Sequence, residues 1–594
     1  MESQNAVLGV HCGHDAGACI IVNGKVIADA QEERFTRQKH CSGIPYQSVW
    51  FCLEQAGIEP SALKVVATSH RHFKLEHFFL FPETPIPELK AKPASLRQKL
   101  RGQSPTLPKQ PEFVQIPGKV EPRLNQFYEG ALKAPGYFNQ VITNKCSFIR
   151  YGHHECHAAT AYYTSKALKE NREALVVVLD GIGDDISVSI WKGLDGRLQM
   201  IKEFGKEYSL GFFYSTVTEV LGYQVLDGEG TTMGQAPYGV YNEAIAETLS
   251  RYLPDLIKES PSIEAVGTVY RFDLSGSPHF HLNRVNKLSK ELKGFEPNDI
   301  AFTAQKMLEK AVVRLVQHWQ NETGINKVLL SGGVALNVKL NSVLAENGVD
   351  LEVFPNPGDG GLALGNALLG HRTLDDMKPA AVFDSIYQGC ESSDDDIESY
   401  LKSRLIQYQK PENVFDAAAD LLAQNKAIGW YQGKMESGPR ALGNRSILMN
   451  PAKAENKDHL NKKVKYRQDF RPFCPSVLEG FENDLLKSYD GHGKFMIRAY
   501  RVTELGKEKM PAAVHADNTT RPQVVGDENP AFRELLQSFY QKTGIPALIN
   551  TSMNVKGEPI AATHVDALKC FFSSGLDALV LGSFVVVKQG VESI

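Results

Sequence analysis

At 594 residues the chain exceeds what one hydrophobic core usually supports, and at roughly 100–200 residues per domain it predicts several units, two of them large. Hydrophobic content of 42% and charged content of 23% are globular averages, which excludes a disordered class, and no run of about 18 apolar residues suggests a membrane span. A formal net charge of -4 argues against bulk attraction to nucleic acid or anionic lipid and leaves small anions, held in a local basic pocket, as the better partners. The scattered cysteines form no Cys-x-x-Cys pair, and Met-Glu-Ser-Gln-Asn opens no signal peptide, so the sequence predicts a cytoplasmic protein with free thiols.

In chain order, Ala6 to Val10 reads as a strand, followed by a glycine-containing turn that carries His14 and Asp15. Ala18 to Val22 and Lys25 to Ala30 read as a hairpin closed by Asn23-Gly24, a dipeptide suited to the positive φ angles of a type I′ turn. The design returns at Ala174 to Leu179, in the acidic glycine turn Asp180-Gly181-Ile182-Gly183-Asp184, and from Ile186 to Trp191 through Asp195-Gly196 to Leu198 to Phe204. This is the pattern of an internal duplication, and two halves that each open this way resemble the actin, sugar-kinase and heat-shock ATPase architecture. Between Phe73 and Tyr137 the chain is rich in Pro, Lys and Gln and weak in periodicity, which predicts an insertion, either a solvated excursion or a lid or specificity element.

Gly152-His153-His154-Glu155-Cys156-His157 opens a helical stretch and puts His153 and His157 four residues apart on one face, with His154 pointing away. Two imidazoles one turn apart can share a divalent metal, and Asp180 and Asp359, in glycine-rich segments, are the candidate carboxylates. The alternative is a helix that merely carries three surface histidines. Asp299 to His318 has helical spacing and feeds a strand, Lys327 to Leu330, then Ser331-Gly332-Gly333 and, at an expected helix start, Asn337. A glycine turn between strand and helix can offer backbone N–H groups to phosphate.

Lys378 to Asp396 mixes proline with a Ser-Ser-Asp-Asp-Asp run and marks the expected domain boundary, dividing the chain into 1–380 and 381–594; the acidic run is read as a solvated helix start. A second α/β unit follows, with a helix Val414 to Gln424, a buried strand Ala427 to Tyr431 and a last strand Ala578 to Val587. Within it, Met435 to Ser446 concentrates guanidinium groups and glycines. Arg440 and Arg445 offer planar forks that match phosphate oxygens, Gly438 and Gly443 allow close backbone approach, and Arg471 extends the basic character downstream.

Together these segments resemble the NodU/CmcH family of O-carbamoyltransferases over nearly the whole chain outside the insertion. The order of motifs carries the resemblance: His14-Asp15-Ala16 and Gln31 to His40, the metal helix His153 to His157, Met233-Gly234-Gln235-Ala236-Pro237-Tyr238-Gly239, and Ser331 to Asn337. The C-terminal part resembles YrdC-like domains through Lys465-Tyr466-Arg467 and Ser552-Met553-Asn554, and His515, Asp517, Arg521 and Gln523 also match the family. The resemblance implies a TsaD-like, duplicated actin/sugar-kinase-like domain followed by a YrdC-like α/β domain. It implies two steps: carbamoyl adenylate made from carbamoyl phosphate and ATP with Mg2+ in the second domain, then transfer to a small-molecule hydroxyl in the first, with a secondary metabolite such as an antibiotic or toxin as acceptor.

On that reading Lys465 and Arg467 neutralise charge on the phosphates, and Ser552 and Asn554 bind phosphate or carbamoyl oxygens. Arg440, Arg445, Arg471, His515, Arg521, Asn550, Gly332, Gly333 and Asn337 complete the nucleotide and carbamoyl-phosphate set. A metal held by His153, His157, Asp180 and Asp359, iron first with zinc or manganese as alternatives, orients the adenylate. His14, beside Asp15, is the candidate base for the hydroxyl, or else a phosphate hydrogen-bonder. Two departures stand out: Thr231-Thr232 where relatives commonly carry lysine, and Lys556 where arginine is frequent. Competing readings are a carbamoyltransferase acting on tRNA or a maturation protein, and a non-catalytic ATP-binding regulator. No nucleic-acid or membrane partner is expected, and a monomer or homodimer is.

Overall fold

The computed structural model describes residues 5–69, 146–262, 271–272, 278–279, 282–374, 383 and 385–588. The insertion expected at 73–137 lies outside the described residues.

The first sheet contains β1 (Ala6–His11), β2 (Gly17–Val22), β3 (Lys25–Gln31), β4 (Leu63–Thr68) and β5 (Ser147–Arg150), with helix α1 (Tyr46–Ala56) between β3 and β4. Its order is β3-β2-β1-β4-β5; β1 is antiparallel to β2 and parallel to β4, which is parallel to β5. Asn23 (φ 49°) and Gly24 (φ 80°) make the left-handed turn that the sequence predicts. After α2 (His153–Tyr163), the strands β6 (Ala174–Gly183), β7 (Ile186–Leu194) and β8 (Arg197–Gly205) repeat the triple hairpin. Helices α3 (Leu210–Val220) and α4 (Pro297–Thr323) then lead to β9 (Lys327–Ser331), α5 (Val338–Glu346), β10 (Asp350–Val353) and α6 (Leu362–Leu374). The second sheet runs β10-β9-β6-β7-β8 with the same pairing senses. The expected duplication is therefore present strand for strand. One boundary differs: β6 continues through Asp180 to Gly183, because an irregularity between Leu179 and Gly183 keeps the hairpin paired where a turn was expected.

Alternation along each strand assigns its two faces to two cores. Val7, Cys19 and Val65 of the first sheet, with Val176, Val178 and Leu329 of the second, face α2 and α6, so these two helices fill the space between the sheets. Leu8 and Ile20 pack outward on α1, and Leu175, Val177 and Leu179 pack outward on α3 and α4. The central helices sit very close to their neighbours. A Cβ on Gly9 of β1 would meet Ala363 O at 2.1 Å, and one on Gly365 of α6 would meet Cys156 O at 2.2 Å. Both positions therefore require glycine, and they fix α2 and α6 against each other and the sheet.

The C-terminal half opens with α7 (Asp394–Ser403), whose acidic first turn is capped by Ser393, and α8 (Val414–Ala423). Its strands are β11 (Ile428–Tyr431), β12 (Arg445–Met449), β13 (Cys474–Leu478), β14 (Gln523–Val525), β15 (Ala547–Ser552), β16 (Ala578–Leu581) and β17 (Phe584–Val587), with α9 (Pro530–Thr543) and α10 (His564–Phe572) among them. They form one mixed seven-stranded sheet in the order β14-β13-β15-β12-β11-β16-β17. Helices α8 and α9 cover one face, and α7 and α10 the other. The single last strand expected from Ala578 to Val587 is a hairpin, broken at Gly582 (φ 53°).

Candidate active site and metal centre

The N-terminal half gathers four side chains where α2, β6 and the start of α6 converge. His153 Nε2 lies 3.2 Å from Asp180 Oδ2 and 3.5 Å from Asp359 Oδ1, and His157 Nε2 lies 3.3 Å from Asp359 Oδ1. One ligand atom from each of the four residues falls within 4.8 Å of the others, and all four side chains are buried. The acidic glycine turn explains the arrangement. Asp180 supplies a carboxylate, Asp184 Oδ2 accepts from His153 N at 2.9 Å to start α2, and a Cβ at Gly183 would meet the His153 ring at 2.1 Å. His154 turns the other way, onto Ser189 Oγ and Ile186 O, as its position on the helix predicts.

Burial alone would raise the pKa of Asp359, but His14 and His153 beside it hold it well below the usual carboxylate range, and Asp180 is lowered in the same way by His153 and His157. Two buried carboxylates facing two imidazoles form a donor set that fits a divalent cation. His157 Nε2, buried and without a hydrogen-bond partner among the described residues, is the atom such a cation would satisfy. His14 Nδ1 donates to Asp15 Oδ2 at 3.0 Å, and its Nε2 is 3.3 Å from Asp359 Oδ2. Burial opposes charge on His14, yet Asp359 and Asp15 raise its pKa to about 9. His11 was not singled out from the sequence. It is fully buried, 3.6 Å from Asp359 Oδ2, and bonded to Ser69 Oγ; its three-residue spacing from His14 across the strand–turn junction is the signal that could have found it.

The C-terminal half gathers cations. Arg440, Arg467, Arg471 and Arg521 line one cavity, and none has a salt bridge among the described residues. Burial, then the neighbouring guanidinium groups, lower Arg440 and Arg467 to about 9. Asn550 Nδ2 donates to Ser476 Oγ and Gln523 Oε1, while its Oδ1 is buried with no hydrogen-bond partner among the described residues. Among the described residues His515 Nε2 has none either, and burial followed by Lys339 lowers this imidazole to about 3, so it is neutral.

The two assemblies share one cavity of about 600 Å³. His14, Asp15, His153, Asp180 and Asp359 line one part; the four arginines, His515, Asn550, Ser552 and Asn554 line another.

Four of the expected ligand-binding positions are engaged by partners within the fold. Arg445 is fully buried and does not line the cavity: its guanidinium donates to the carbonyls of Gln432, Asn444, Cys390, Gly433 and Ala562, and stacks 3.7 Å from the Tyr431 ring. With every donor direction taken by backbone it holds the sheet together rather than a phosphate. The Gly332-Gly333 turn offers no free N–H pair, since Gly332 N donates to Pro357 O and Gly333 N to Asp180 Oδ1 at 2.9 Å. It orients Asp180 of the candidate metal centre instead. Asn337 caps α5 and pairs with Gln305, though it still lines the cavity. Lys465, ending a π-helical turn, stands behind the wall. Its amine donates to Ser552 O at 2.5 Å and Asn554 Oδ1 at 2.7 Å, so it orients these two rather than meeting a ligand. Of the departures, Thr232 is packed against Thr218 inside the fold, and Lys556 is exposed.

Residues 6–368 match the family model described as carbamoyltransferase N-terminus, and residues 419–588 match carbamoyltransferase C-terminus. An uncharacterised Synechocystis protein is 32% identical, over 97% of this chain and 95% of its own. Nodulation protein NolNO of Sinorhizobium fredii is 31% identical, over 97% and 79%. Among solved structures, full-length HypF in its phosphate- and nucleotide-bound form aligns with 63% of this chain and 57% of that one, at 14% identity and a TM-score of 0.32. The chain belongs to the carbamoyltransferase family and is a carbamoyltransferase.

Proposed function

We propose that the enzyme makes carbamoyl adenylate at the arginine end of the cavity, in residues 381–594, and transfers the carbamoyl group to a small-molecule hydroxyl at the metal end, in residues 1–380. The observation that carries this reading is the shared cavity: an anion pocket and a cation centre open into the same 600 Å³.

In the first step, water releases phosphate from carbamoyl phosphate, and the resulting carbamate attacks the α-phosphorus of ATP, expelling pyrophosphate. Arg440, Arg467, Arg471 and Arg521 neutralise the phosphate charge, and the repulsion among them is relieved by the ligand. Asn550 Oδ1 takes an N–H from the carbamoyl group, the donor that its network leaves it lacking. Ser552 and Asn554, held by Lys465, position the reacting phosphates. Proximity of the two substrates, worth several kcal/mol, does most of the rest.

In the second step, the acceptor hydroxyl attacks the carbamoyl carbon and AMP leaves. His153, His157, Asp180 and Asp359 would hold the divalent metal, for which iron, zinc and manganese all suit the donor set, and which supplies Lewis-acid stabilisation of developing charge. His14 is placed to manage the acceptor proton, with Asp15 fixing its ring. Its charge state follows Asp359, the carboxylate that raises it most.

The test needs no acceptor. Purified protein given ATP and carbamoyl phosphate should release pyrophosphate only when both are present, and Arg440→Ala should abolish most of that release. A folded, nucleotide-binding protein that releases none would refute the reading.

A further inference from the structure

The segment that follows β3 joins the two ends of the cavity, yet neither end's chemistry uses it. Arg34, 5% exposed, donates through Nη2 to Gln31 Oε1 and to Gly438 O, both at 2.8 Å, while its Nη1 lies 2.8 Å from Glu33 Oε1. Gln31 packs on the metal-centre loop: a Cβ added to Gly360, the neighbour of Asp359, would come within 2.1 Å of Gln31 Nε2. Gly438, at φ +113°, begins the loop that presents Arg440. One guanidinium therefore links the loop of a metal-centre carboxylate to the loop of a phosphate-pocket arginine.

Arg37 makes a second attachment. Its Nη1 donates to Ile560 O at 2.8 Å and its Nη2 to Pro559 O at 2.7 Å, with Asp566 Oδ1 3.4 Å from Nε. Pro559 and Ile560 line the cavity just beyond Asn554. Between the two attachments, Ser437 Oγ donates to Asp29 Oδ2. The two loops that wall the arginine end are thus hung from one short segment of the N-terminal half, the helical turn Glu33–Thr36 and its C-cap Arg37.

We propose that Arg34 and Arg37 are positioning residues that clamp the adenylate-forming end against the metal end and keep carbamoyl adenylate inside the cavity until an acceptor arrives. This rests on the two-step reading above. Carbamoyl adenylate is a mixed anhydride: water attacking its carbamoyl carbon breaks the bond to the AMP oxygen and yields AMP and carbamate. A joint that opens between the loops admits that water, whereas a closed one excludes it.

The experiment is quenched-flow measurement of pyrophosphate and AMP with ATP and carbamoyl phosphate but no acceptor, on wild type, Arg34→Lys and Arg37→Gln. Arg34→Lys keeps charge against Glu33 but lacks the fork, and Arg37→Gln, at a half-buried site, guards against loss of folding at Arg34. The wild type should give a burst of about one pyrophosphate per enzyme followed by slow turnover, because the intermediate is retained. Each variant should keep the burst within about twofold while its steady AMP output rises about tenfold or more. Variants with unchanged output, or with burst and output falling together, would overturn the clamp while leaving the two-step reaction standing. A wild type without a burst would overturn that reaction, and the clamp with it.

Discussion

The two ends of the cavity solve opposite electrostatic problems. At the metal end, buried carboxylates and imidazoles from α2, β6 and the start of α6 already face one another, and close glycine contacts hold their backbones rigid. At the arginine end, like charges accumulate on loops and strand ends, and burial followed by the charges of Arg471 and Arg521 lowers both Arg440 and Arg467, which meet no carboxylate among the described residues. On the proposed reading, a cation would complete a site that is close to balanced, and a polyphosphate would relieve repulsion that the fold otherwise carries.

Arg445→Ala should have the largest effect, because five carbonyls lose one charged donor at once. At about 1.5–3 kcal/mol for a charge-assisted bond, a loss of at least about 3 kcal/mol is expected, read as a lower melting temperature with the metal centre intact. Asp359→Ala should strip the other end: metal affinity falls by about 100-fold or more, measured by metal content after dialysis, with little change in pyrophosphate release. Arg440→Ala should lower kcat/KM for carbamoyl phosphate by about 10–100-fold, yet leave the ligand-free melting temperature unchanged or raised, since repulsion is removed. Pyrophosphate, which should stabilise the wild type by linkage, should stabilise this variant less.

The smallest effect concerns pH. Burial, then the charge of Arg467, lower Lys465 to about 7 from its ordinary value near 10.5. Between these values the unfolded chain binds a proton that the folded one does not, so this group makes stability rise as pH climbs from about 7 towards 10. Lys465→Met should flatten that rise in urea melts across the same window.

Much of this was legible in the sequence where the deciding physics is local. Asn23-Gly24 and Asp195-Gly196 fix their own turns through positive φ, and the repeated hairpins follow from them. His153 and His157 share a face because a helix has 3.6 residues per turn. What was not legible depends on distant partners. Arg440 and Arg445 look alike as guanidinium forks five residues apart, yet Arg445 opens a central strand opposite Tyr431 and meets carbonyls from residues 390 and 562, while Arg440 stays on the loop. The Gly332-Gly333 turn likewise looks free until Pro357 and Asp180 arrive from elsewhere in the fold. His11 ends an apolar strand, where a buried histidine leaves no periodic mark, so only its spacing from His14 marks it.

The most direct measurement is pyrophosphate release by the double variant His153→Ala/His157→Ala beside Arg440→Ala, each shown to be folded. A cavity with separate steps at its two ends predicts release retained in the double variant and largely lost in Arg440→Ala; release lost from the folded double variant and retained in Arg440→Ala would contradict it.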